Sequence, residues 1–484
     1  MDKTLQKALY VILLSLGLAL VFNYMFFAME IGISVFVFVV VLLGTIISFA
    51  KYQQIPLKQT WWLMALTAFF ALMPGIRANG FLTFLNVVVT FGLLMLLAHQ
   101  LVGTPVFLMK VWDYFLLAVL VPFRMLGRGL STVSKLGQIH STVKNRETWI
   151  RVLKGIVMAV PILIIFGALF SQADLAFSQF LGNFIHIHIS ERSIQYLVLL
   201  AFAFIAGLSF LSYIFFPKQV AVAAPAEAIP AVQPSRSVEV LVFLGLIGLL
   251  FLLFIGFQLT YLFGGEANIT SWGFTYADYA RRGFFELLAV AILSLLVLLA
   301  SENYAGAEGK KGKHFLVPAL VLVTEVVVVI ISAFKRLSLY IDAYGLTEQR
   351  FYVAGFIVLL LVLFILLAIK FVKAKPENFF TFGTLLTMVT FVAILNLMNP
   401  DSYIANSNLK QYNQTGKIDA YYVGHLSHDA TPQKLELYKK VKDENKGLLQ
   451  QLLQVEKAKL QNNSAHWQSF NFSRTRALKL LETL

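Results

Sequence analysis

Apolar runs about as long as a bilayer is thick recur along this chain as far as Met398 and then stop. A helix needs ~20 predominantly apolar residues to cross hydrocarbon. Eleven runs reach or approach that length: Ala8–Phe27, Ile31–Ala50, Trp61–Met73, Phe81–Val102, Val152–Phe170, Ile194–Phe216, Val238–Leu262, Gly283–Ala300, Phe315–Phe334, Phe351–Val372 and Phe379–Met398. The third is short and ends at Pro74. The stretch Pro105–Pro122 is apolar but carries Lys110 and Asp113, so it reads as interfacial or re-entrant. From Arg124 to Ile139 the pattern becomes one-sided. At ~100° per residue, Leu126, Leu130 and Val133 fall on one face and Arg124, Arg128 and Lys135 on the other. Pro217–Ser237 is rich in Ala, Pro and Val and predicts a semi-extended linker.

The pattern predicts an all-α fold: a polytopic helical membrane protein with about 11 transmembrane spans and a small helical C-terminal extracytoplasmic region. Residues 1–216 form an N-terminal membrane half with a basic cytoplasmic loop at 103–154, residues 217–237 a linker, residues 238–398 a C-terminal membrane half, and residues 399–484 the tail. The tail carries helix patterns over Leu435–Leu460, with a break near Gly447, and over Ser473–Leu484. Asp429 stands where it can cap the turn before Pro432. Pro74 and Pro161 interrupt the first half with no matching breaks in the second, which argues against an inverted-repeat transporter.

Composition supports lipid as the solvent. Of 484 residues, 58% are hydrophobic and 13% charged, against about half and a quarter in soluble domains. The net charge of +14 sits mostly in breaks between apolar runs, where it reads as a topology signal and gives no case for nucleic acid. With the N-terminus cytoplasmic, the inner side receives Lys51, Lys58, the 103–154 loop, Lys218, Arg236, Lys310, Lys311, Lys313, Lys370, Lys373 and Lys375. An odd span count then puts the C-terminus outside. Lys3 and Lys7 precede the first run, which is long enough to remain as an uncleaved span. No cysteine is present, so thiolate chemistry is excluded.

Positive charges on the predicted outer side need a local reason. The first group is Tyr276, Asp278, Tyr279, Arg281, Arg282 and Glu286, where Asp278, Arg282 and Glu286 share a helix face. The second is Arg336, Tyr340, Asp342, Tyr344 and Arg350, where Arg336, Tyr340 and Tyr344 repeat every fourth residue. Gly345 suits a helix stop and Thr347 a cap. Either group reads as a snorkelling anchor at the aromatic belt, or as an outer site for a ligand or partner. Glu325 lies about 15 Å from either end of its span. A charged acid there costs about 2.5 kcal/mol or more. It reads as a proton or ligand carboxyl, or as a neutral acid bonded to Thr324, another helix or a carbonyl. The basic helix at Arg124, Arg128 and Lys135 reads as lying on anionic lipid at the inner face, or as docking a cytoplasmic or membrane partner. His186 and His188, like His425 and His428, lack a third ligand and read as solvated; no metal or cofactor is expected.

The stretches YADYARRGFFELL (276–288), SAFKRLSLYIDAYGLTEQR (332–350), NPDSYIANSNL (from Asn399), GKIDAYYVGHLSHDATP (from Gly416) and WQSFNFSRTRA (467–477) resemble a family of bacterial multi-pass membrane proteins. That family is catalogued as a domain of unknown function, the four-one-seven-three type, related to the four-one-five-three type. The resemblance rests on the C-terminal half and implies a fold but no activity. The expectation is a non-enzymatic sensing or scaffolding component of the bacterial cell membrane. The alternative is a proton-coupled transporter or channel using Glu325, with a membrane enzyme on lipid or cell-wall precursors as a third class.

Overall fold

The computed structural model describes residues 3–103, 105–136, 170, 174, 176–177, 191–217, 237–262, 284–463 and 466–482. The span at Val152–Phe170, His186, His188 and the linker lie outside the described residues, apart from single positions at their edges. Among the described residues the chain is helical with no strand. Eleven long helices come first: α1 Lys3–Phe26, α2 Ser34–Tyr52, α3 Trp61–Ile76, α4 Gly80–Leu101, α5 Val111–Leu136, α6 Glu191–Phe215, α7 Ser237–Leu262, α8 Phe284–Gly309, α9 Lys313–Tyr344, α10 Glu348–Val372 and α11 Glu377–Met398. Nine of these are long and apolar enough to cross a membrane, and α3 is a shorter apolar helix. Apolar runs of this kind become helices because only a helix satisfies its own backbone donors and acceptors in hydrocarbon.

The helix ends sort into two layers. At one end, Lys7 donates to Gln53 (2.7 Å), Gln100 to the Gln59 carbonyl (2.6 Å) and Asn378 to the Phe107 carbonyl (3.1 Å). These contacts gather the start of α1, the α2–α3 turn, the α4–α5 turn and the start of α11. At the other end lie the α1–α2, α3–α4 and α9–α10 turns and the end of α11. The tail covers that second end.

The tail comprises α12 Pro400–Thr415, α13 Ala420–His425, α14 Thr431–Lys440, α15 Asp443–Asn463 and α16 Phe472–Leu481. The long predicted helix does break, but at Val441–Lys442. Gly447 stays inside α15, while Val441 turns extended and buries its side chain in the tail core. That core continues into the bundle through Leu82, Leu346, Phe351 and Leu395, so tail and spans share one hydrophobic cluster. Two glycines seat it. Gly345 ends α9 at φ 81°, and a Cβ there would stand 2.6 Å from Asn408 Oδ1. A Cβ on Gly32 would stand 2.6 Å from the Phe470 carbonyl, whose oxygen accepts from the Ile33 N–H at 2.9 Å.

Helix α5 departs from expectation. It is one helix running through Pro122, and among its residues with described side chains the buried positions are Val121, Met125, Gly129 and Thr132. Leu126 is exposed, and Leu130 and Val133 are only partly buried. In a membrane the apolar face need not be the packed one, because lipid accepts leucine as readily as protein does.

Candidate functional site

The junction of bundle and tail is built on Asn79, the residue that caps α4. Its side-chain oxygen accepts from the Leu82 N–H at 2.8 Å, which fixes the amide and leaves its nitrogen free to reach outward. That nitrogen donates to both oxygens of Asp401 (3.0 Å each) and to Glu348 Oε1 (2.6 Å). Tyr352 donates its hydroxyl to Asn79 Oδ1 at 3.3 Å. Asp401 is fully buried in the first turn of α12, where the helix dipole favours its charge, and it accepts from the Ser427 N–H at 3.1 Å. Asp429 does not cap its own turn; Ser427 does. Instead its carboxylate accepts from the N–H groups of Ala78 (2.8 Å) and Asn79 (3.0 Å) and from the Ser473 hydroxyl. Residues of the α3–α4 turn, α10, α12, α16 and the α13–α14 turn thus meet around three carboxyls. One layer deeper, Asn86 and Asn396 exchange amide hydrogen bonds at 2.7 and 2.8 Å.

Beside this lies the second outer group. Thr347 caps α10, accepting from the Arg350 N–H. The Arg350 guanidinium lies over the Tyr340 ring at 4.0 Å and the Tyr344 ring at 5.9 Å. It also donates to the Tyr344 carbonyl (3.2 Å) and the Gly345 carbonyl, which places a cation at the negative end of α9. The tail closes on the same turn: Asn408 donates to the Leu346 carbonyl (2.7 Å), Gln411 to the Asp342 carbonyl (3.1 Å), and the Glu348 N–H to the Tyr422 hydroxyl oxygen (2.6 Å). Burial pushes the Tyr422 hydroxyl up to about 12. Arg336, expected to share this face, is partly buried further along α9, and the Asp342 side chain is exposed.

A cavity of about 560 Å³ opens here, lined by Phe285, Tyr340, Glu348, Arg350 and Tyr422 among others. An apolar cleft of about 1070 Å³ between α4, α8, α10 and α11 shares Phe285, Glu348, Gln349 and Val353 with it. Of the first outer group, Glu286 is exposed at the start of α8. Tyr276, Asp278, Tyr279, Arg281 and Arg282 lie outside the described residues.

Glu325 is 4% exposed. Neither carboxyl oxygen has a hydrogen-bond partner among the described residues. It faces Gly248 of α7, where a Cβ would stand 3.4 Å from Oε2. Thr324 does not serve it, since its hydroxyl turns back to the Leu320 carbonyl at 2.9 Å. Two turns along α9, Ser332 bonds Gln258 of α7. Lys370, grouped by sequence with the inner loop charges, is instead buried and paired with Glu302.

On α5, Arg128 donates to the Phe216 carbonyl and lies 5.7 Å from the Tyr213 ring. Lys135 stands 3.5 Å over the Phe216 ring. Both cations therefore gather at the C-terminal end of α6, while Arg124 is exposed. In the tail, His428 is not a solvated histidine. It bonds Glu456 at 2.7 Å, and Glu456 also pairs with the buried Lys434 at 3.0 Å and accepts from Thr431 at 2.9 Å. His425 is exposed. Among the described residues no group of three or more acidic, histidine or cysteine side chains stands ready for a metal.

Asn79, Asp401, Glu348 and Tyr422 were not singled out in the sequence, and Asp429 only as a cap for its own turn. Their only local signals are helix starts, Asn79-Gly80 and Asn399-Pro400-Asp401, which mark caps without naming partners.

A family model described as a domain of unknown function, DUF4153, matches residues 62–437. The match is to the four-one-five-three type and reaches well into the N-terminal half, beyond the stretches that carry the resemblance; it stops short of Trp467–Ala477. No curated protein and no solved structure matches the chain.

Proposed function

The chain belongs to the DUF4153 family, a domain of unknown function, and we propose that it serves as a non-enzymatic sensing component of the cell envelope that receives its ligand where the tail meets the bundle. One observation carries the reading. The cavity at Phe285, Tyr340, Arg350 and Tyr422 has walls from both the spans and the tail, so an occupant touches both at once. The adjoining apolar cleft and the polar, aromatic mouth suit an amphiphile. In this reading the N-terminus is cytoplasmic and the tail faces outward. The cations on α5 would then meet anionic lipid or a partner at the inner face.

A second reading is favoured by Glu325, a buried carboxyl with no partner among the described residues. Such a group in a span marks a proton or ion path by default. One experiment separates the two. The full chain is reconstituted into vesicles containing a pH dye, and a pH gradient is imposed. The sensing role predicts that the gradient survives in wild-type and Glu325→Gln vesicles alike. Wild-type vesicles that lose the gradient, with Glu325→Gln restoring it, would sink the sensing role in favour of proton-coupled transport.

A further inference from the structure

The cavity at the junction and the apolar cleft beside it share Phe285, Glu348, Gln349 and Val353, so one occupant can fill both. The cleft holds about 1070 Å³, at the upper end of the ~300–1,000 Å³ of ligand pockets. Its walls belong to spans and are mostly apolar, Val89, Leu93, Phe356 and Val392 among them, which suits acyl chains. The mouth is different. Arg350 spends Nη1 on the Tyr344 and Gly345 carbonyls, while its Nε and Nη2 make no hydrogen bond with a described residue and are open to solvent. The Tyr422 hydroxyl accepts from the Glu348 N–H, and its own proton is uncommitted among the described residues. Both side chains line the mouth and offer donors to an anion.

Glu348 lines both cavities and offers an acceptor. Asn79 Nδ2 has two hydrogens but faces three carboxyl oxygens, both of Asp401 and Oε1 of Glu348. Asp401 gains the Ser427 N–H besides. Glu348 Oε2 accepts nothing from the described residues and is open to solvent. Donors for an anion and an acceptor for a cation thus stand at the end of an apolar cleft. A quaternary ammonium has no N–H for that carboxyl and seeks aromatic faces, and Arg350 already lies over Tyr340 and Tyr344. A headgroup with negative charge alone leaves Glu348 facing like charge. We propose that cleft and mouth together bind one phospholipid whose headgroup carries a primary ammonium, of the ethanolamine type. Its chains lie in the cleft, its phosphate meets Arg350 and the Tyr422 hydroxyl, and its ammonium donates to Glu348. The proposal rests on the reading of this junction as an amphiphile site and names the amphiphile.

The test is native mass spectrometry of the full chain in detergent, titrated with phosphatidylethanolamine, phosphatidylcholine and phosphatidylglycerol of matched chains. One phosphatidylethanolamine per chain is expected, held about tenfold tighter than either of the others. Glu348→Gln keeps an oxygen for Asn79 and should bring the three lipids within about twofold of each other. Gly92 lines the cleft, and a Cβ there meets no atom within 4 Å. Gly92→Phe therefore fills the cleft without a clash at Cβ and should weaken all three lipids about tenfold or more. Absence of a bound lipid, equal retention of the three, an unchanged preference in Glu348→Gln or unchanged retention in Gly92→Phe would each overturn the proposal. Hydrogen exchange in α13, measured with each lipid, separates this site from the sensing role. Preference for phosphatidylethanolamine with unchanged exchange upholds the lipid site and removes the sensing role. Exchange altered by all three lipids alike keeps the sensing role and overturns the headgroup assignment.

Discussion

Asp401 and Glu325 are both almost wholly buried, yet Asp401 accepts three hydrogen bonds and Glu325 none from the described residues. Replacing Asn79 by Ala strips Asp401 of its side-chain donor and Glu348 of the same nitrogen. Losing partners at a buried carboxylate costs about 3 kcal/mol. Hydrogen exchange in α12 is expected to speed up accordingly, and unchanged exchange would show that the tail does not hang on this residue. Glu456 gives the pH counterpart. Burial pushes its carboxyl up, but the hydrogen bond and charge of His428 and the charge of Lys434 outweigh that and hold it below its ordinary value. A carboxyl depressed in the folded state stabilises fully above its unfolded value and loses that contribution as pH falls through the folded one. Exchange protection of α14 and α15 should therefore hold from about pH 7 to 5 and fall only below the ordinary carboxylate range. Glu456→Gln, which leaves Lys434 buried without its counter-ion, should cost about 3–5 kcal/mol at neutral pH. Adding Lys434→Met should recover most of that loss, as measured by the same protection factors.

Helix ends in this chain are set by local chemistry and were legible; helix partners were not. Gly345 and Thr347 announce the α9–α10 turn within three residues, and the structure ends and restarts the helices there. Asn79 and Asp401 are 322 positions apart, and no periodicity links them. The packed face of α5 was missed for another reason. Lipid rewards the same apolar side chains that a protein core does, so Leu126 and Leu130 marked an apolar face without marking the packed one. The α9–α10 turn gives the test at this scale. Gly345→Ala places a Cβ at positive φ and against Asn408, strain of about 1–3 kcal/mol. The tail contacts made by Asn408 and Gln411 should loosen, and trypsin should cut at Lys410 faster than in wild type. Equal cleavage rates would show that the turn is held without them.

Among the described residues of the bundle, apart from the tail, most lysines stand at the end away from the tail, and that placement gives the proposed topology a test. Lys7, Lys51, Lys58, Lys135, Lys313, Lys373 and Lys375 fall at the ends of α1, α2, α3, α5, α9, α10 and α11 away from the tail. At the tail end, two of the described bundle cations, Arg77 and Arg350, are spent on the terminal carbonyls of α11 and α9. Arg350, one of the positive charges that stand against the positive-inside rule, therefore has structural work that a topology signal would not need. In the proposed orientation, with these lysines on the cytoplasmic side, the tail is expected outside. The chain has no cysteine, so single replacements report without background. Lys446→Cys in the tail and Lys58→Cys at the opposite end are both exposed. An impermeant maleimide should label the first on intact cells and the second only after lysis. The reverse pattern would turn the molecule over and put the end that bears Lys7, Lys51 and Lys58 outside.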